Sequence, residues 1–286
     1  MKTKLTALLV LAILLTGVSV TLIVFSSLTA PAPTHIDLPA SIQNIQPVQF
    51  VSDSGSTIHG WLLPGMPDGG AVVLMHGVRA NRLSMLSRAQ FLNQSGFTVL
   101  LFDFQAHGES DGKHITFGYL ESRDAIGAVN FVRAKFPREK IGVLGVSMGG
   151  AAATLASPPL PVEAMVLEMV YPSIDRAADN RLTMRLGNWA KILTPLLLVQ
   201  LKWRLGLDPK NLRPIERVTE IRVPKLLIVG SEDRHTTLEE SRELYDAAAD
   251  PKELWIVDGA AHIDLHEFKK DAYESHVLGF FTEHLR

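Results

Sequence analysis

A serine between two glycines stands near the middle of the chain, where an apolar run meets a helix-forming stretch. The motif is Gly145-Val-Ser147-Met-Gly149, and the segment Ile141 to Val146 before it is rich in β-branched residues. At a strand-to-helix turn, G-x-S-x-G holds the serine above a sheet, and the small residues let strand and helix approach closely. We interpret Ser147 as a nucleophile. A glycine-rich turn that binds phosphate is the competing interpretation, although the G-x-G-x-x-G spacing of dinucleotide sites is absent.

A nucleophilic serine needs a histidine to take its proton and a carboxylate to orient that histidine. After a G-x-S-x-G serine, the acid and then the histidine follow in the chain. Asp233 comes just after the apolar segment Lys225 to Val229, and His262 comes just after Glu253 to Val257. Parallel strands end at one edge of a sheet, so both side chains are expected near Ser147. The predicted catalytic residues are Ser147, Asp233 and His262.

Glu168 also ends an apolar segment and is the alternative acid. Asp233 is preferred because its segment immediately precedes the one that carries the histidine. Glu168 is then expected to contact Arg176 or Arg181 in the insertion that follows it. His235, close to Asp233, is expected to lie in solvent.

Hydrolysis of an acyl compound also requires backbone N–H donors for the developing oxyanion. One donor is expected from Met148, directly after the nucleophile, and the other from the loop that follows the apolar segment Ala71 to Met75. In that loop Val78 is the predicted donor. His76 and Gly77 are predicted to bind substrate, with Gly77 letting the backbone come close.

Apolar strand segments alternate with helical segments along the chain. This alternation predicts an α/β fold with a mostly parallel central sheet and helices on both faces, which would bring these residues together. The first two segments, 48–51 and 57–63, are separated by turn residues and predict a hairpin. An insertion of about 171–222 interrupts the alternation and predicts a helical lid over the serine. Core packing, or contact with a membrane surface through its apolar second half, is the alternative.

The amino-terminal segment predicts a transmembrane helix. No charged residue occurs from Leu5 to Ala30, which is long enough to cross a bilayer. Lys2 and Lys4 precede it, and the first lysine or arginine after it is Arg79. Because positive charge next to a membrane helix stays on the cytoplasmic side, this distribution predicts a single-pass protein with a cytoplasmic amino terminus and an extracytoplasmic catalytic domain.

A cleaved signal peptide is the alternative, although the apolar run is longer than the core of such peptides and prolines surround the nearest small-residue site. The predicted domains are residues 1–30 as transmembrane anchor or uncleaved signal, 31–47 as tether, and 48–286 as the catalytic domain.

Composition narrows the function classes. A formal net charge of −2 over 286 residues, with no basic stripe, argues against a nucleic-acid partner. The absence of cysteine excludes disulfides, thiolate metal sites and a cysteine nucleophile. His262 and His266 have the spacing of a metal pair, but no further ligand cluster accompanies them, so no metal is expected.

The motifs together resemble those of the alpha/beta-hydrolase superfamily, in its BEM46-like and serine-aminopeptidase (S33, monoglyceride-lipase-like) branches. The segments that carry the resemblance are His76-Gly77, Asp103 to Ser110, Gly145 to Gly149, Gly230 to Asp233 and Gly259 to His262. The resemblance implies the triad named above, no cofactor, and an ester, thioester or amide substrate. One departure is Gln105-Ala106-His107-Gly108, where the family usually has Arg-Gly-His-Gly.

The predicted function is a membrane-anchored serine hydrolase that cleaves a carboxylic ester, lipid-like or with a medium-chain acyl group, through an acyl-enzyme. An aminopeptidase or thioesterase of the same fold is one alternative, and a non-catalytic anchored binding module is another. The expected partners are a small-molecule or lipid-like substrate and a membrane, with no obligate protein partner.

Overall fold

The computed structural model describes the backbone of residues 2–39, 42 and 44–286. Among the first fifteen residues it describes the side chains of Lys4, Thr6, Leu8 and Leu11 only. The described strands are β1 (Ala32–Pro33), β2 (Gln46–Val51), β3 (Thr57–Leu63), β4 (Ala71–Met75), β5 (Thr98–Phe102), β6 (His107–Gly108), β7 (Ile141–Val146), β8 (Ala164–Glu168), β9 (Lys225–Gly230) and β10 (Lys252–Val257). The described α-helices are α1 (Lys2–Thr29), α2 (Leu86–Gln94), α3 (Tyr119–Lys135), α4 (Met148–Leu155), α5 (Ile174–Leu186), α6 (Thr194–Leu205), α7 (Pro214–Arg217), α8 (Leu238–Ala247), α9 (Leu265–Phe268) and α10 (Lys270–Leu285).

Eight strands form one sheet in the order β10-β9-β8-β7-β4-β5-β3-β2. The strands from β10 to β5 are parallel, whereas β3 pairs antiparallel with both β5 and β2. The predicted mostly parallel sheet is confirmed, and β2 and β3 form the predicted hairpin. β7, which leads into Ser147, lies between β4 and β8, so the serine emerges in the middle of the sheet.

Helices cover both faces of this sheet, which explains why every residue of β4, β5 and β8 is buried. On one face α3 and α4 pack with residues such as Ala128 and Ala151. On the other face α2 and α10 pack with residues such as Leu92 and Phe281. The carboxyl ends of the parallel strands stay uncovered by these two layers and carry the loops that reach Ser147.

The insertion at 171–222 is helical, as predicted. It contains α5, α6 and α7 with short 3₁₀ turns between and after them. α5 and α6 pack together, and the inner face of α6 buries Leu197 and Leu201. The opposite face of α6 is apolar yet exposed, with Trp203 76% accessible, and Ile192 in the preceding 3₁₀ turn is 75% accessible. An exposed apolar face of this kind is typical of a surface that binds another protein or a membrane.

The amino-terminal helix α1 packs against α6, and β1 then pairs in parallel with β6. Counting only the residues that the structure describes, no helix has both the length and the hydropathy of a membrane span. The anchor at 1–30 includes Met1, and the tether at 31–47 includes positions 40, 41 and 43; these four lie outside the described residues. The anchor and the domain boundaries stay predictions.

Candidate active site

The turn between β7 and α4 holds Ser147 in a strained backbone conformation, with φ 52° and ψ −112°. A Cβ on Gly145 would lie 2.5 Å from the Gly150 nitrogen, and one on Gly149 would lie 2.3 Å from the Met75 carbonyl oxygen. Only glycine fits either position, because backbone atoms cannot yield as a side chain can. The structure therefore has the sharp turn that the motif predicts, and α4 begins at Met148 directly after the serine.

Loops after β9 and β10 bring Asp233 and His262 to this serine. Nε2 of His262 lies 3.3 Å from the Ser147 hydroxyl oxygen, and Nδ1 lies 2.7 Å from Oδ2 of Asp233. A carboxylate only accepts hydrogen bonds, so Nδ1 carries the proton and Nε2 is left to accept one. The other Asp233 oxygen accepts from the backbone nitrogens of His235 and Thr236, at 2.7 and 3.0 Å. The structure thus brings the three predicted residues into hydrogen-bonding contact.

Glu168 has other partners. It is fully buried at the end of β8, where it accepts from the Arg88 guanidinium at 3.2 and 3.0 Å and from the Tyr273 hydroxyl. Arg88 also pairs with Asp264 at 3.0 Å. The expected contact of Glu168 with Arg176 or Arg181 is wrong, because a buried arginine from α2 lies nearer than the insertion does.

Two buried histidines hold the loop after β4. Nδ1 of His76 donates to the Gly77 carbonyl at 2.7 Å, and its Nε2 accepts from the Phe104 nitrogen at 3.0 Å. Burial lowers the pKa of His76 to about 3, so this ring is neutral and both bonds persist at physiological pH. His107 accepts from the Arg79 nitrogen at 3.0 Å. His76 is fully buried behind the loop, so the structure does not bring its side chain to the substrate space.

The loop itself lies against the serine. A Cβ on Gly77 would sit 3.7 Å from the Ser147 Cβ, in ordinary van der Waals contact. Val78 and Met148 both line a cavity that also contains Ser147. Their backbone nitrogens belong to the loop after β4 and to the first residue of α4, where the sequence places the oxyanion donors.

An apolar cavity of about 130 Å³ opens beside Ser147 and continues under the insertion. Its walls are mainly aromatic and aliphatic and include Phe25, Phe117, Tyr171, Ile174, Leu197 and Leu201. Sequence reasoning missed Phe25 because it lies in a continuous apolar run that gave no sign of a contact with the catalytic domain. It also missed Tyr171, whose buried hydroxyl donates to the Phe117 carbonyl.

A second space, which we call the histidine cavity, contains Ser147, His262 and His235. The His235 ring stacks on the His262 ring, with centroids 4.9 Å apart and planes at 20°. Burial and the neighbouring His262 lower the pKa of His235, which favours a neutral ring. His235 is therefore half-buried against the triad and not in solvent as expected. The two cavities share Val78, Ser147 and Arg181.

His266 has partners that account for both ring nitrogens. Nδ1 lies 3.0 Å from the Ser87 hydroxyl and Nε2 lies 2.8 Å from Glu274. Within the part of the chain that the structure describes, no group of three histidine, cysteine or acidic residues is arranged around a potential metal position. His262 contacts Ser147 and Asp233 and does not form a pair with His266.

Comparison with known proteins gives relatives along most of the chain. It is 26% identical over 252 residues to YqkD of Bacillus subtilis, a protein of uncharacterised function, covering 85% of this chain and 82% of that protein. YfhR of Escherichia coli K12, also uncharacterised, is 24% identical over 249 residues, with 83% and 81% covered. The esterase Pf2001 of Pyrococcus furiosus superposes with a TM-score of 0.71 at 22% identity, over 90% of this chain and all of that structure.

The sequence profile of the serine aminopeptidase S33 family matches residues 67–213, slightly more than half of the chain. The matched region contains the β4 loop, the Ser147 turn and most of the insertion. The superposition on Pf2001 extends the same architecture to the strands that carry Asp233 and His262. The chain therefore belongs to the serine aminopeptidase S33 family and is a serine hydrolase of the alpha/beta-hydrolase fold.

Proposed function

We propose that this enzyme hydrolyses a carboxylic ester with an apolar acyl group, using Ser147, His262 and Asp233 as its triad. The observation that carries the proposal is the continuous hydrogen-bonded chain from Ser147 through His262 to Asp233, placed where an apolar cavity opens. A buried carboxylate, an oriented imidazole and a strained serine are the groups that acyl transfer requires.

In the first step the Ser147 oxygen attacks the substrate carbonyl carbon while Nε2 of His262 takes the hydroxyl proton. Asp233 holds the opposite nitrogen and stabilises the imidazolium that forms. The imidazolium then gives its proton to the departing alkoxide as the C–O bond breaks, which leaves an acyl-enzyme. In the second step His262 takes a proton from water, the hydroxide attacks the acyl carbon, and the acid leaves with Ser147 reprotonated.

The negative charge of each tetrahedral intermediate is assigned to the backbone N–H groups of Val78 and Met148. Each such donor contributes about 3–4 kcal/mol to transition-state stabilisation. Gly77 has no side chain beside Ser147, which leaves room there for the substrate carbonyl. His76 acts behind the loop, where its two backbone hydrogen bonds hold Gly77 in place.

The two cavities suggest how the substrate is oriented. His262 protonates the leaving group, so the leaving group belongs in the histidine cavity that His262 lines. The acyl group then extends into the apolar cavity on the side of Tyr171 and Leu201. An apolar cavity of about 150 Å³ holds a benzene molecule, so the cavity here matches an acyl group of about six carbons.

The lining of the two cavities favours an ester substrate over a peptide with a free amino terminus. An aminopeptidase must pair the substrate ammonium with an anion. Among the described residues, the apolar cavity has no carboxylate in its wall, and Asp264 in the histidine cavity is already paired with Arg88. A thioester meets the same apolar cavity and remains an alternative. A non-catalytic binding module does not require the hydrogen bonds between Ser147, His262 and Asp233.

We also propose that the protein is held at a membrane by residues 1–30, with the catalytic domain on the extracytoplasmic side. Supporting features are the uncharged run from Leu5 to Ala30 and the exposed apolar face of the insertion around Ile192 and Trp203. Lys202 and Arg204 adjoin that face, and basic residues beside tryptophan are typical of an interface with anionic lipid.

A fluorophosphonate probe tests the catalytic proposal, because it reacts only with an activated serine. We expect labelling of the full-length protein and hydrolysis of p-nitrophenyl hexanoate, and the loss of both in Ser147→Ala. Ser275→Ala removes an exposed hydroxyl on α10 and is the matched control, expected to label like the wild type. Labelling or hydrolysis that persists in Ser147→Ala would assign the reaction to another residue.

A further inference from the structure

The last turns of α1 are bound to the insertion. Nε2 of Gln200 donates to the Thr21 carbonyl at 3.3 Å, and Arg204 donates to the Leu22 carbonyl at 3.4 Å. The Arg204 guanidinium also lies 5.1 Å from the centre of the Phe25 ring. Three separate contacts from one face of α6 therefore fix the position of this end of the helix.

The same end of α1 is bound to the loop after β4 and to the segment before α3. Arg79, the residue after the proposed oxyanion donor, donates to the carbonyls of Ser27 and Ala30 at 3.0 and 3.3 Å. The Ile115 nitrogen donates to the Thr29 carbonyl at 2.9 Å. Because these carbonyls close a helix end, their hydrogen bonds replace the ones that the helix itself cannot make.

These contacts hold the end of α1 where Phe25 and Leu28 line the active-site cavity. Phe25 is 3% exposed although it belongs to a helix whose neighbouring residue Ile23 is 68% exposed. Both Phe25 and Leu28 line the apolar cavity that contains Ser147. One face of the predicted anchor thus forms part of the wall that surrounds the proposed acyl group.

We propose that Phe25 and Leu28 are specificity-determining residues, which limit the length of the acyl chain that the apolar cavity accepts. This inference rests on the proposed ester hydrolysis at Ser147. The anchor is then part of the substrate site as well as an attachment, and acyl selectivity depends on a segment more than a hundred residues before the nucleophile in the sequence. The occupant of the cavity is an apolar acyl chain, because the wall is mainly aromatic and aliphatic and Ser147 lies in it.

The experiment uses the detergent-solubilised full-length protein with p-nitrophenyl butyrate, hexanoate and decanoate. For Phe25→Ala we expect the ratio of kcat/KM for decanoate over butyrate to rise about tenfold, because the wall is opened. For Leu28→Phe we expect the ratio to fall, because a larger side chain shortens the cavity. Ile23→Ala, which changes an exposed side chain on the same helix, is the control and should leave the ratio within about twofold of wild type.

Two results would overturn the inference while leaving the proposed function intact. One is an unchanged chain-length ratio in both Phe25→Ala and Leu28→Phe when butyrate is still hydrolysed. The other is an active protein whose amino terminus begins after Ala30, which would lack both residues. Failure of the wild type to hydrolyse any of the three esters would instead count against the proposed function. If Phe25→Ala unfolds, the chain-length ratio of Leu28→Phe is the deciding measurement, since that change keeps a large apolar side chain at the position.

Discussion

At the scale of single residues, two carboxylates compete for the role of acid, and their hydrogen-bond partners separate them. Asp233 directs one oxygen to His262 and the other to two backbone nitrogens of its own loop. Glu168 directs both oxygens into a buried cluster with Arg88 and Tyr273. The first arrangement orients an imidazole, whereas the second neutralises a buried guanidinium and ties α2 and α10 to the end of β8.

We therefore expect Asp233→Asn to lower turnover and Glu168→Gln to lower stability. Asparagine keeps the shape but cannot hold the proton on Nδ1 of His262, so we expect turnover to fall by about 10⁴ with little change in stability. Glutamine at 168 leaves the buried Arg88 poorly paired, so we expect a loss of about 3–5 kcal/mol in unfolding free energy. Turnover of the folded Glu168→Gln protein should fall by no more than about tenfold.

Hexanoate ester hydrolysis and denaturant unfolding of both variants, at one pH, give the two measurements. Fluorophosphonate labelling of Ser147, measured on the folded protein, reports the reactivity of the serine. A change that only lowers stability leaves this labelling unchanged. A deeper loss of turnover in Glu168→Gln than in Asp233→Asn, on both activity and labelling, would transfer the role of acid to Glu168.

At the scale of elements, the turn between β7 and α4 depends on the close approach of three backbone segments. Gly149 lies against the end of β4, and Gly145 lies against the first turn of α4. The neighbouring loops are also strained, with positive φ at Arg79, Ala106 and Met169. Such conformations persist where the surrounding structure holds them, and they concentrate here at the strand ends that carry the site.

Gly149→Ala should be strongly destabilising, because its Cβ would lie 2.3 Å from the Met75 carbonyl oxygen and 2.7 Å from that of His76. We expect a loss of about 3 kcal/mol or more in unfolding free energy. The matched control is Gly279→Ala in α10, where no atom lies within 4 Å of the added Cβ. That change should stabilise by about 0.5–1 kcal/mol, because alanine favours helix over glycine.

Denaturant titration of the two variants side by side checks this pair, and ester hydrolysis measures the effect on the serine. Equal stability of Gly149→Ala and wild type would mean that α4 can move away from β4. Such freedom is incompatible with the close approach described above.

At the scale of the whole molecule, the amino-terminal helix, the insertion and the active site form one unit. α1 contacts α6, α6 lines the apolar cavity, and the cavity opens at Ser147. The outer side of this unit exposes three large apolar side chains, those of Trp189, Ile192 and Trp203.

Membrane attachment through residues 1–30 predicts that the full-length protein resists extraction by alkaline carbonate and is released by detergent. The physical reason is the cost of exposing the uncharged, largely apolar run from Leu5 to Ala30 to water. Amino-terminal sequencing of the extracted protein separates the anchor from the cleaved signal peptide. A carbonate-soluble product that begins near Pro31 or Pro33 would contradict the anchor.

The features that depend on a local pattern could be predicted from the amino-acid sequence. The G-x-S-x-G turn is recognisable because its requirement for small residues is met within five positions, between a strand and a helix. The positions of Asp233 and His262 were also predictable, because parallel strands deliver their carboxyl ends to one edge of a sheet. Each was predicted from its place after an apolar run, and the structure brings both to Ser147.

Only the tertiary structure decided the contacts between segments that are distant along the chain. Phe25 lines the same cavity as Ser147, Arg88 pairs with Glu168, and His235 stacks on His262. No local pattern marks such partners, since an apolar helix or a half-buried histidine has the same sequence signature whichever surface it meets. Their identity depends on how helices of given length pack over the sheet, and that packing is settled by side-chain volume and burial across the whole core.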